Sequence, residues 1–314
     1  MSFMDRTRTM LLSALFLVSA GVVVPASLSQ AAMGAGSGHL YFQRGDYIYA
    51  ANADGGSVHQ LTHTGTASQP DYQPAVSPDG TRLAYAQGRV QVNVVRVTGG
   101  APVVVNRRAG VGNPTWSPDG RRLAVDMPNP CLTTVYNGPD IMSSRSVIAI
   151  GSASKNSFQS VYDGTACAVF RLYPAWSPDG GAFILTENED GKDARGRYES
   201  LGLDTIDVKS AKDTQITPQD RYDYLRPAYS PDGKSIACIH RPLGHKGQGS
   251  LWLLDKDGKG GHQLAAGADV TRPAWSLDGA TIAYGASGGV YAVPAAGGPA
   301  RLLVSNASYP AWGR

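Results

Sequence analysis

The 314-residue chain has few cysteines, few charged residues and few long apolar runs. Charged residues make up 17% of it, and 28 basic against 25 acidic side chains leave a net charge of +3. This near balance excludes the strongly basic surface with which proteins bind nucleic acid, so we expect no nucleic-acid partner. The chain after residue 31 also lacks an apolar run long enough to cross a bilayer, which predicts no membrane span in that part.

The one long apolar run lies near the N-terminus, at Met10–Ala26, between two arginines and a group of small residues. This layout is typical of a secretory signal peptide. It predicts a signal peptide over residues 1–31, a short linker over 32–38 and an exported protein, either periplasmic or extracellular at the cell surface. The alternative is an uncleaved anchor, although the run is short for a bilayer.

Glycine and proline are abundant, with 38 and 20 residues, and much of the proline lies in one repeated heptapeptide. PAWSPDG at 174–180 returns in close variants along the chain, and a shortened copy, PAWGR, forms the last five residues. The copies begin at Pro74, Pro114, Pro174, Pro227, Pro273 and Pro310. Units of about 40 to 60 residues with β-type turns are typical of propeller blades.

The Ser-Pro-Asp-Gly sequence predicts a tight hairpin between two strands. Proline presets its own φ, aspartate bonds back to backbone amides, and glycine accepts a positive φ. A strand-like run follows each copy, as in RLAYAQ at 82–87, and most units add a second run that ends in a glycine pair and then a third. Each unit therefore supplies four antiparallel strands.

The two ends of the chain complete one unit between them. HLYFQ at 39–43 reads as the second strand of a unit whose first strand is missing, and PAWGR at 310–314 supplies that strand. Pairing the ends closes a ring and removes exposed sheet edges. The sequence thus predicts an all-β, six-bladed β-propeller over 39–314, closed by its N- and C-terminal strands.

These P-x-W-S-P-D-G units resemble the propeller of TolB, an exported component of a bacterial envelope complex, and its WD-like relatives. The resemblance covers about residues 39–314. It implies a non-catalytic module of the cell envelope that binds a protein or peptide. TolB carries an α/β domain before its propeller, and we expect none here. Similar blades occur in peptidase gating domains and sugar lyases, so the resemblance specifies the fold more than the function.

Three units are longer than the others, and the extra residues fall between their second and third strands, at about 128–145, 188–198 and 241–249. In an up-and-down blade these connections lie on the same side of the disc as the blade-to-blade crossings. We call this side the crossing face, and the opposite side the SPDG face. Insertions gathered on one face of a repeat protein often mark its binding face.

Charged and aromatic residues accompany the crossings, in the phrases FRLYP, DYLRP and DVTRP. An arginine fork at a channel mouth suits the carboxylates of a ligand or peptide. The alternative is that Asp–Arg pairs tie neighbouring blades together. The predicted binding residues at the channel mouth and crossing face are Arg171, Tyr173, Asp223, Arg226, Asp269 and Arg272.

The cysteines number three, which in an oxidising compartment allows one disulfide and leaves one thiol. Cys131 and Cys167 belong to one blade and one face, which predicts a bridge between them; the alternative is two unrelated thiols. Cys238 lies inside a strand and is expected to be a buried free thiol.

No catalytic motif or tight histidine ligand pair is present, which favours a non-catalytic role with no metal and no cofactor but does not exclude a site assembled from several blades. We also expect a monomer. The alternative function is an extracellular carbohydrate lyase or hydrolase with its site at the channel mouth. His240 and His245 are its first candidates for proton transfer or metal binding.

Overall fold

Strands and tight turns account for the regular structure of the chain. The computed structural model describes residues 38–128, 146–161, 170–188, 200–218, 221–243, 249–267 and 270–314. Within these ranges the strands form six four-stranded antiparallel sheets. None of the described segments is a helix with the length and hydropathy that a membrane span needs. The predicted signal peptide, Cys131, Cys167, His245 and Asp269 lie outside the described residues.

Each sheet is one blade, and we number the blades from the N-terminus and name their strands from the channel outwards. Blade 1 contains β24 (Ser308–Gly313), β1 (His39–Arg44), β2 (Tyr47–Asn52) and β3 (His59–Gln60). Blade 2 contains β4 (Asp71–Val76), β5 (Arg82–Gln87), β6 (Gln91–Arg96) and β7 (Val103–Arg107). Blade 3 contains β8 (Gly112–Trp116), β9 (Arg122–Pro128), β10 (Ser146–Ser152) and β11 (Gln159–Ser160).

The remaining blades repeat this plan without a break in strand order. Blade 4 contains β12 (Phe170–Trp176), β13 (Ala182–Asn188), β14 (Gly202–Asp207) and β15 (Asp213–Gln215). Blade 5 contains β16 (Tyr222–Tyr229), β17 (Ser235–Pro242), β18 (Ser250–Asp255) and β19 (His262–Ala265). Blade 6 contains β20 (Ala274–Trp275), β21 (Thr281–Ala286), β22 (Gly289–Pro294) and β23 (Arg301–Ser305).

The repeated turn is held by the same hydrogen bonds in blades 2 to 6, as Ser117 and Asp119 illustrate. The hydroxyl of Ser117 donates to Asp119 and accepts from the backbone N–H of Arg122, and Asp119 also accepts from the N–H of Arg121. Gly120 adopts a φ of 66°. Hydrogen bonds to the ionised form hold the pKa of Asp119 below its usual value. Local chemistry therefore specifies the hairpin.

Aromatic side chains near the end of the inner strands join neighbouring blades. The indole N–H of Trp116 in blade 3 donates to the carbonyl of Ala75 in blade 2 at 2.9 Å. The guanidinium of Arg82 lies over the Trp116 ring at 4.6 Å and donates to the carbonyl of Gly120. Burial of the tryptophan between two sheets and two cross-blade hydrogen bonds thus stabilise this interface.

The two ends of the chain meet in blade 1. Strand β24 pairs antiparallel with β1, with Leu40 opposite Trp312 and His39 opposite Gly313. Leu40 and Phe42 are fully buried, and Leu40 packs with Trp312 in the cluster between blades 6 and 1. The predicted six-bladed propeller and its closure by the terminal strands are therefore confirmed.

The three long connections join second to third strands in three consecutive blades, as the sequence indicated. They run from β9 to β10 in blade 3, from β13 to β14 in blade 4 and from β17 to β18 in blade 5. Most of their residues lie outside the described part of the chain. Their described ends lie on the crossing face, because each connection starts where the second strand of its blade ends, opposite the SPDG turn.

Candidate functional site

Each inner strand, or the residue just before it, contains a proline, and the side chain before that proline lies at the centre of the propeller. The six residues are here called the pre-proline ring, with one member per blade: Tyr309, Gln73, Asn113, Tyr173, Arg226 and Arg272. The inner strands of neighbouring blades contact one another around the channel. The ring therefore brings six residues distant in sequence to one place.

The backbone at this position is unusual in five of the six blades. Gln73, Tyr173 and Arg226 have φ values of 56°, 58° and 52°, and Asn113 and Tyr309 also have positive φ. The pairing register shifts at the same points, so that Tyr173 and its proline face one residue of the next strand in a β-bulge. Bulges re-aim side chains, and positive φ in non-glycine residues is a strained conformation that recurs at functional sites.

Arg226 of blade 5 stacks on aromatic rings from two other blades. Its guanidinium carbon lies 4.0 Å from the ring centroid of Tyr173 in blade 4 and 5.5 Å from that of Tyr309 in blade 1. Its backbone N–H donates to the hydroxyl of Thr186 at 3.2 Å. A planar guanidinium held against ring faces keeps its N–H edge available for hydrogen bonding.

Arg272 of blade 6 reaches across the channel to the opposite blade. Its Nη2 donates to the carbonyl of Pro114 in blade 3 at 3.5 Å. Burial, together with the nearby charge of Arg226, lowers the pKa of Arg272 to about 10. Arg272 is therefore still protonated at neutral pH, and the ring contains two guanidinium charges that repel each other.

Polar residues of blades 2 and 3 complete the ring. The side-chain oxygen of Gln73 accepts from the backbone N–H of Asn113 at 2.8 Å, and the Asn113 amide donates to Asp126 at 2.8 Å. Asp126 is almost fully buried, and burial raises the pKa of its carboxyl against the opposing effect of Asn113 and the nearby guanidiniums of Arg89 and Arg226. The ring is thus polar on one side and cationic on the other.

Of the predicted site residues, the structure brings Tyr173, Arg226 and Arg272 together in the ring. Arg171 instead bonds to Glu187 at 2.7 Å and to Asp213 at 2.5 Å within its own blade. Asp223 accepts from Arg241 at 2.7 Å and from the backbone N–H of Leu201, also away from the ring. These ion pairs lie within single blades, whereas the hydrogen bond from Leu201 of blade 4 to Asp223 of blade 5 joins two neighbouring blades. Asp269 lies outside the described residues.

Three carboxylates converge beside Arg171 in blade 4. One oxygen from each of Glu187, Asp204 and Asp213 lies within 4.8 Å of the others, in a geometry that could hold a metal ion. Arg171 already neutralises two of them, and burial raises the pKa of Glu187. The set is therefore an ion-pair network, and its carboxylates are the closest approach to a catalytic acid–base group among the described residues.

His240, a candidate of the enzyme hypothesis, is packed among aromatic rings. It is 8% exposed, and its ring centroid lies 4.3 Å from that of Tyr222 and 4.2 Å from that of Trp252. In the described part of the chain it belongs to no group of three possible metal ligands. Such stacking gives His240 a packing role.

Sequence reasoning missed Gln73, Asn113 and Tyr309 as members of the ring, although a signal was present. Each occupies the slot before the repeat proline, where the sequence analysis had selected Tyr173 and Arg226 only by their neighbouring charges. Asp126 left no comparable signal, because it lies in a second strand that reads as ordinary sheet.

Six four-stranded blades, closed through a shared sheet around a channel with one pre-proline side chain per blade, make this protein a six-bladed β-propeller. The family model described as the TolB beta propeller domain matches residues 43–313. The chain belongs to that family, which confirms the resemblance predicted from the repeat.

Solved structures and one curated relative agree with this fold. TolB from Acinetobacter baumannii has a TM-score of 0.68 at 21% identity, over 89% of this chain and 67% of that one. The putative TolB from Agrobacterium tumefaciens has a TM-score of 0.63 at 17% identity, over 86% and 90%. The uncharacterized peptidase YuxL of Bacillus subtilis (strain 168) is 28% identical over 206 residues, which are 51% of this chain but only 28% of that protein.

Proposed function

We propose that this chain is an exported, non-catalytic module of the bacterial cell envelope that binds a protein or peptide on its crossing face. The observation that carries the proposal is the pre-proline ring, in which Arg226 is held between Tyr173 and Tyr309 from two other blades. Rigid aromatic and arginine side chains are the residue types that dominate binding energy at protein interfaces. A strained backbone supports them in place.

Two further observations support this function. The described ends of the long connections of blades 3, 4 and 5 lie on the crossing face, and long loops on a rigid scaffold commonly carry binding. Membership of the TolB propeller family and the signal-like N-terminus favour export and an envelope partner. The partner is proposed as a polypeptide because the proposed binding surface is a wide face with several loops.

Site-specific photo-crosslinking in the living host tests the proposal. A crosslinking amino acid at Arg221, which is exposed on the crossing face, is compared with one at Arg121, which is exposed on the SPDG face. We expect one polypeptide to be captured from Arg221 and absent from Arg121, and the protein to fractionate with the envelope. Equal capture from both positions, or a cytoplasmic protein, would contradict the proposal.

A second function, as an extracellular lyase or hydrolase, is favoured by one observation, the convergence of Glu187, Asp204 and Asp213. A carboxyl whose pKa is raised by burial can serve as a general acid. Its test is a screen of oligosaccharide substrates with the wild-type protein and with Glu187→Gln. Turnover that the substitution abolishes, in a variant with an unchanged melting temperature, would establish the enzyme; absence of turnover would leave Glu187 in a structural role.

A further inference from the structure

We infer that the pre-proline ring is a binding site for a single carboxylate group of a peptide, held between the guanidiniums of Arg226 and Arg272. The inference rests on the proposed function, since it specifies which chemical group of a polypeptide enters the channel. The carboxylate is either the C-terminus of the peptide or an acidic side chain. Four observations on the ring support it.

The two guanidiniums have hydrogen-bonding capacity that the protein does not use. The Nη1 atoms of Arg226 and Arg272 are buried, and neither has a hydrogen-bond partner in the structure. Buried polar groups are nearly always paired in native proteins, so a group of unpaired donors in one place indicates an acceptor that binds there.

The charges at the ring are not balanced internally. Arg226 and Arg272 form no ion pair with any described residue, whereas Arg171 and Arg241 elsewhere in the propeller do. Among the described residues, Asp126 is a buried carboxyl whose charge acts on both arginines; it accepts from Asn113 and also interacts with Arg89. Two or three positive charges near one buried carboxyl leave an excess that an anion would neutralise.

The stacking of Arg226 suits a planar acceptor. Its guanidinium carbon lies over the ring of Tyr173 at 4.0 Å and over that of Tyr309 at 5.5 Å, while its Nη1 has no hydrogen-bond partner. A carboxylate is planar and matches the edge of a guanidinium with two parallel hydrogen bonds. Both residues keep some exposed surface, although their Nη1 atoms are buried.

Arg272 also limits how a peptide can enter. Because it extends from blade 6 to the carbonyl of Pro114 in the opposite blade, it crosses the channel at the level of the ring. An extended chain cannot thread past this crossing without displacing it. A chain end or one inserted side chain, which stops at the ring, fits the geometry, and both can carry a carboxylate.

The test uses three short peptides and the ¹⁵N-labelled full protein, with the arginine Nε–H signals followed by NMR. Acetyl-triglycine presents a terminal carboxylate, acetyl-glycyl-aspartyl-glycinamide presents a side-chain carboxylate, and acetyl-glycyl-asparaginyl-glycinamide is the neutral match. We expect at least one carboxylate peptide to shift the Arg226 and Arg272 signals and to bind about tenfold or more tighter than the neutral peptide. Which of the two binds identifies the source of the group.

Matched variants attribute the effect to the ring. Arg226→Gln with Arg272→Gln should abolish the preference for the carboxylate, whereas Arg107→Gln with Arg121→Gln, which removes the same charge from exposed positions, should preserve it. Arg226→Lys with Arg272→Lys keeps the charge but loses the fork, and should bind more weakly than the wild type. Circular dichroism checks that each variant is folded.

Three results would overturn the inference: equal binding of the neutral peptide, an unchanged preference in the folded double glutamine variant, or binding of inorganic phosphate with neither carboxylate peptide. Failure of the inference is distinguishable from failure of the proposed function. A polypeptide that is still crosslinked at Arg221 in cells with the double glutamine variant would support the proposed function and contradict the inference. Carboxylate binding without any crosslinked polypeptide would support the inference and contradict the proposed function.

Discussion

Trp312, two residues from the end of the chain, lies opposite Leu40 in the sheet of blade 1. The pair joins the innermost strand, which comes from the C-terminus, to the second strand, which comes from the N-terminal part of the propeller. Loss of this pairing would expose an edge of β1 and the buried side chains Leu40 and Phe42. Several expectations about stability follow from this arrangement and from the turns and ion pairs described above.

Deletion of residues 308–314 should destabilise the whole propeller, because blade 1 would lose its inner strand and the ring its closure. We expect the melting temperature to fall by about 10 °C or more, since each 1 kcal/mol corresponds to about 2 to 4 °C in a domain of this size. Leu302→Ala, at a half-exposed position in β23, is the control and should change it little. An unchanged melting temperature in the truncated chain would disprove closure by pairing.

The SPDG turns should contribute stability that is lost in acid. Hydrogen bonds from Ser77 and the backbone lower the pKa of Asp79 to about 2. Since this pKa is below the unfolded value of about 3.9, the contribution is complete above pH 4 and disappears as the pH falls through about 2. Urea unfolding between pH 2 and 5, with NMR titration of Asp79, measures it.

Ser77→Ala is the matching test of the turn mechanism. It should return the pKa of Asp79 towards its usual value and reduce the free energy of unfolding by about 1 to 2 kcal/mol, because the hydroxyl bonds both Asp79 and the N–H of Arg82. Ser68→Ala in an exposed loop serves for comparison. A pKa of Asp79 that stays near 2 in the Ser77 variant would assign the shift to another cause.

Arg171→Leu should destabilise blade 4 strongly, by about 3 to 5 kcal/mol, because it leaves Glu187 and Asp213 without their partner. The loss should be smaller at pH 6 than at pH 9.5. Burial raises the pKa of Glu187 to about 8 in the wild type, so both folded proteins lose stability alike as the pH rises from the unfolded pKa of about 4.3 to about 8. Without Arg171 the pKa rises further, so only the variant continues to lose stability above pH 8.

Chemical denaturation at the two pH values measures this difference. Lys234→Met is the control, because Lys234 and Asp232 form an exposed pair at 3.6 Å whose loss should be nearly neutral. A loss in Arg171→Leu that is equal at pH 6 and pH 9.5 would show that packing, and not the carboxylates, accounts for it.

Cys238 should be unreactive in the folded protein, because it is fully buried and burial raises the pKa of its thiol to about 12. Alkylation followed by mass spectrometry should modify it only in denaturant. The same experiment, with and without reduction, tests the predicted bridge: free thiols at both Cys131 and Cys167 in the unreduced protein would exclude it.

The sequence was sufficient for the architecture because the information there is local and repeated. Ser117, Asp119 and Gly120 make their turn with one another, and the copies recur in every blade after the first. Closure of the ring could also be predicted from the sequence, because PAWGR has the residues of an inner strand and HLYFQ those of a second strand. Nothing in these predictions required knowledge of distant contacts.

The hydrogen-bond and ion-pair partners of individual charged side chains could not be predicted from the sequence. Arg171 reaches the fourth strand of its blade to meet Asp213, and Asp223 pairs with Arg241 of the adjacent strand instead of with an arginine of the crossings. Which charged side chains pair depends on the register of the strands and on the direction in which each side chain points. The position of the ring depended in addition on the bulge at the repeat proline in blades 1 to 5, which the propensities of Gln73 or Tyr173 do not predict.

The seam of blade 1 has a consequence for concentrated solutions. Strands β24 and β1 belong to opposite ends of the chain, so nothing in the hydrogen bonds themselves requires both to come from one molecule. Two opened copies could exchange their C-terminal strands and satisfy every backbone group of both seams, which is the route to a domain-swapped dimer. Intramolecular closure prevails in dilute solution because the tethered strand is at a far higher effective concentration than a neighbour's.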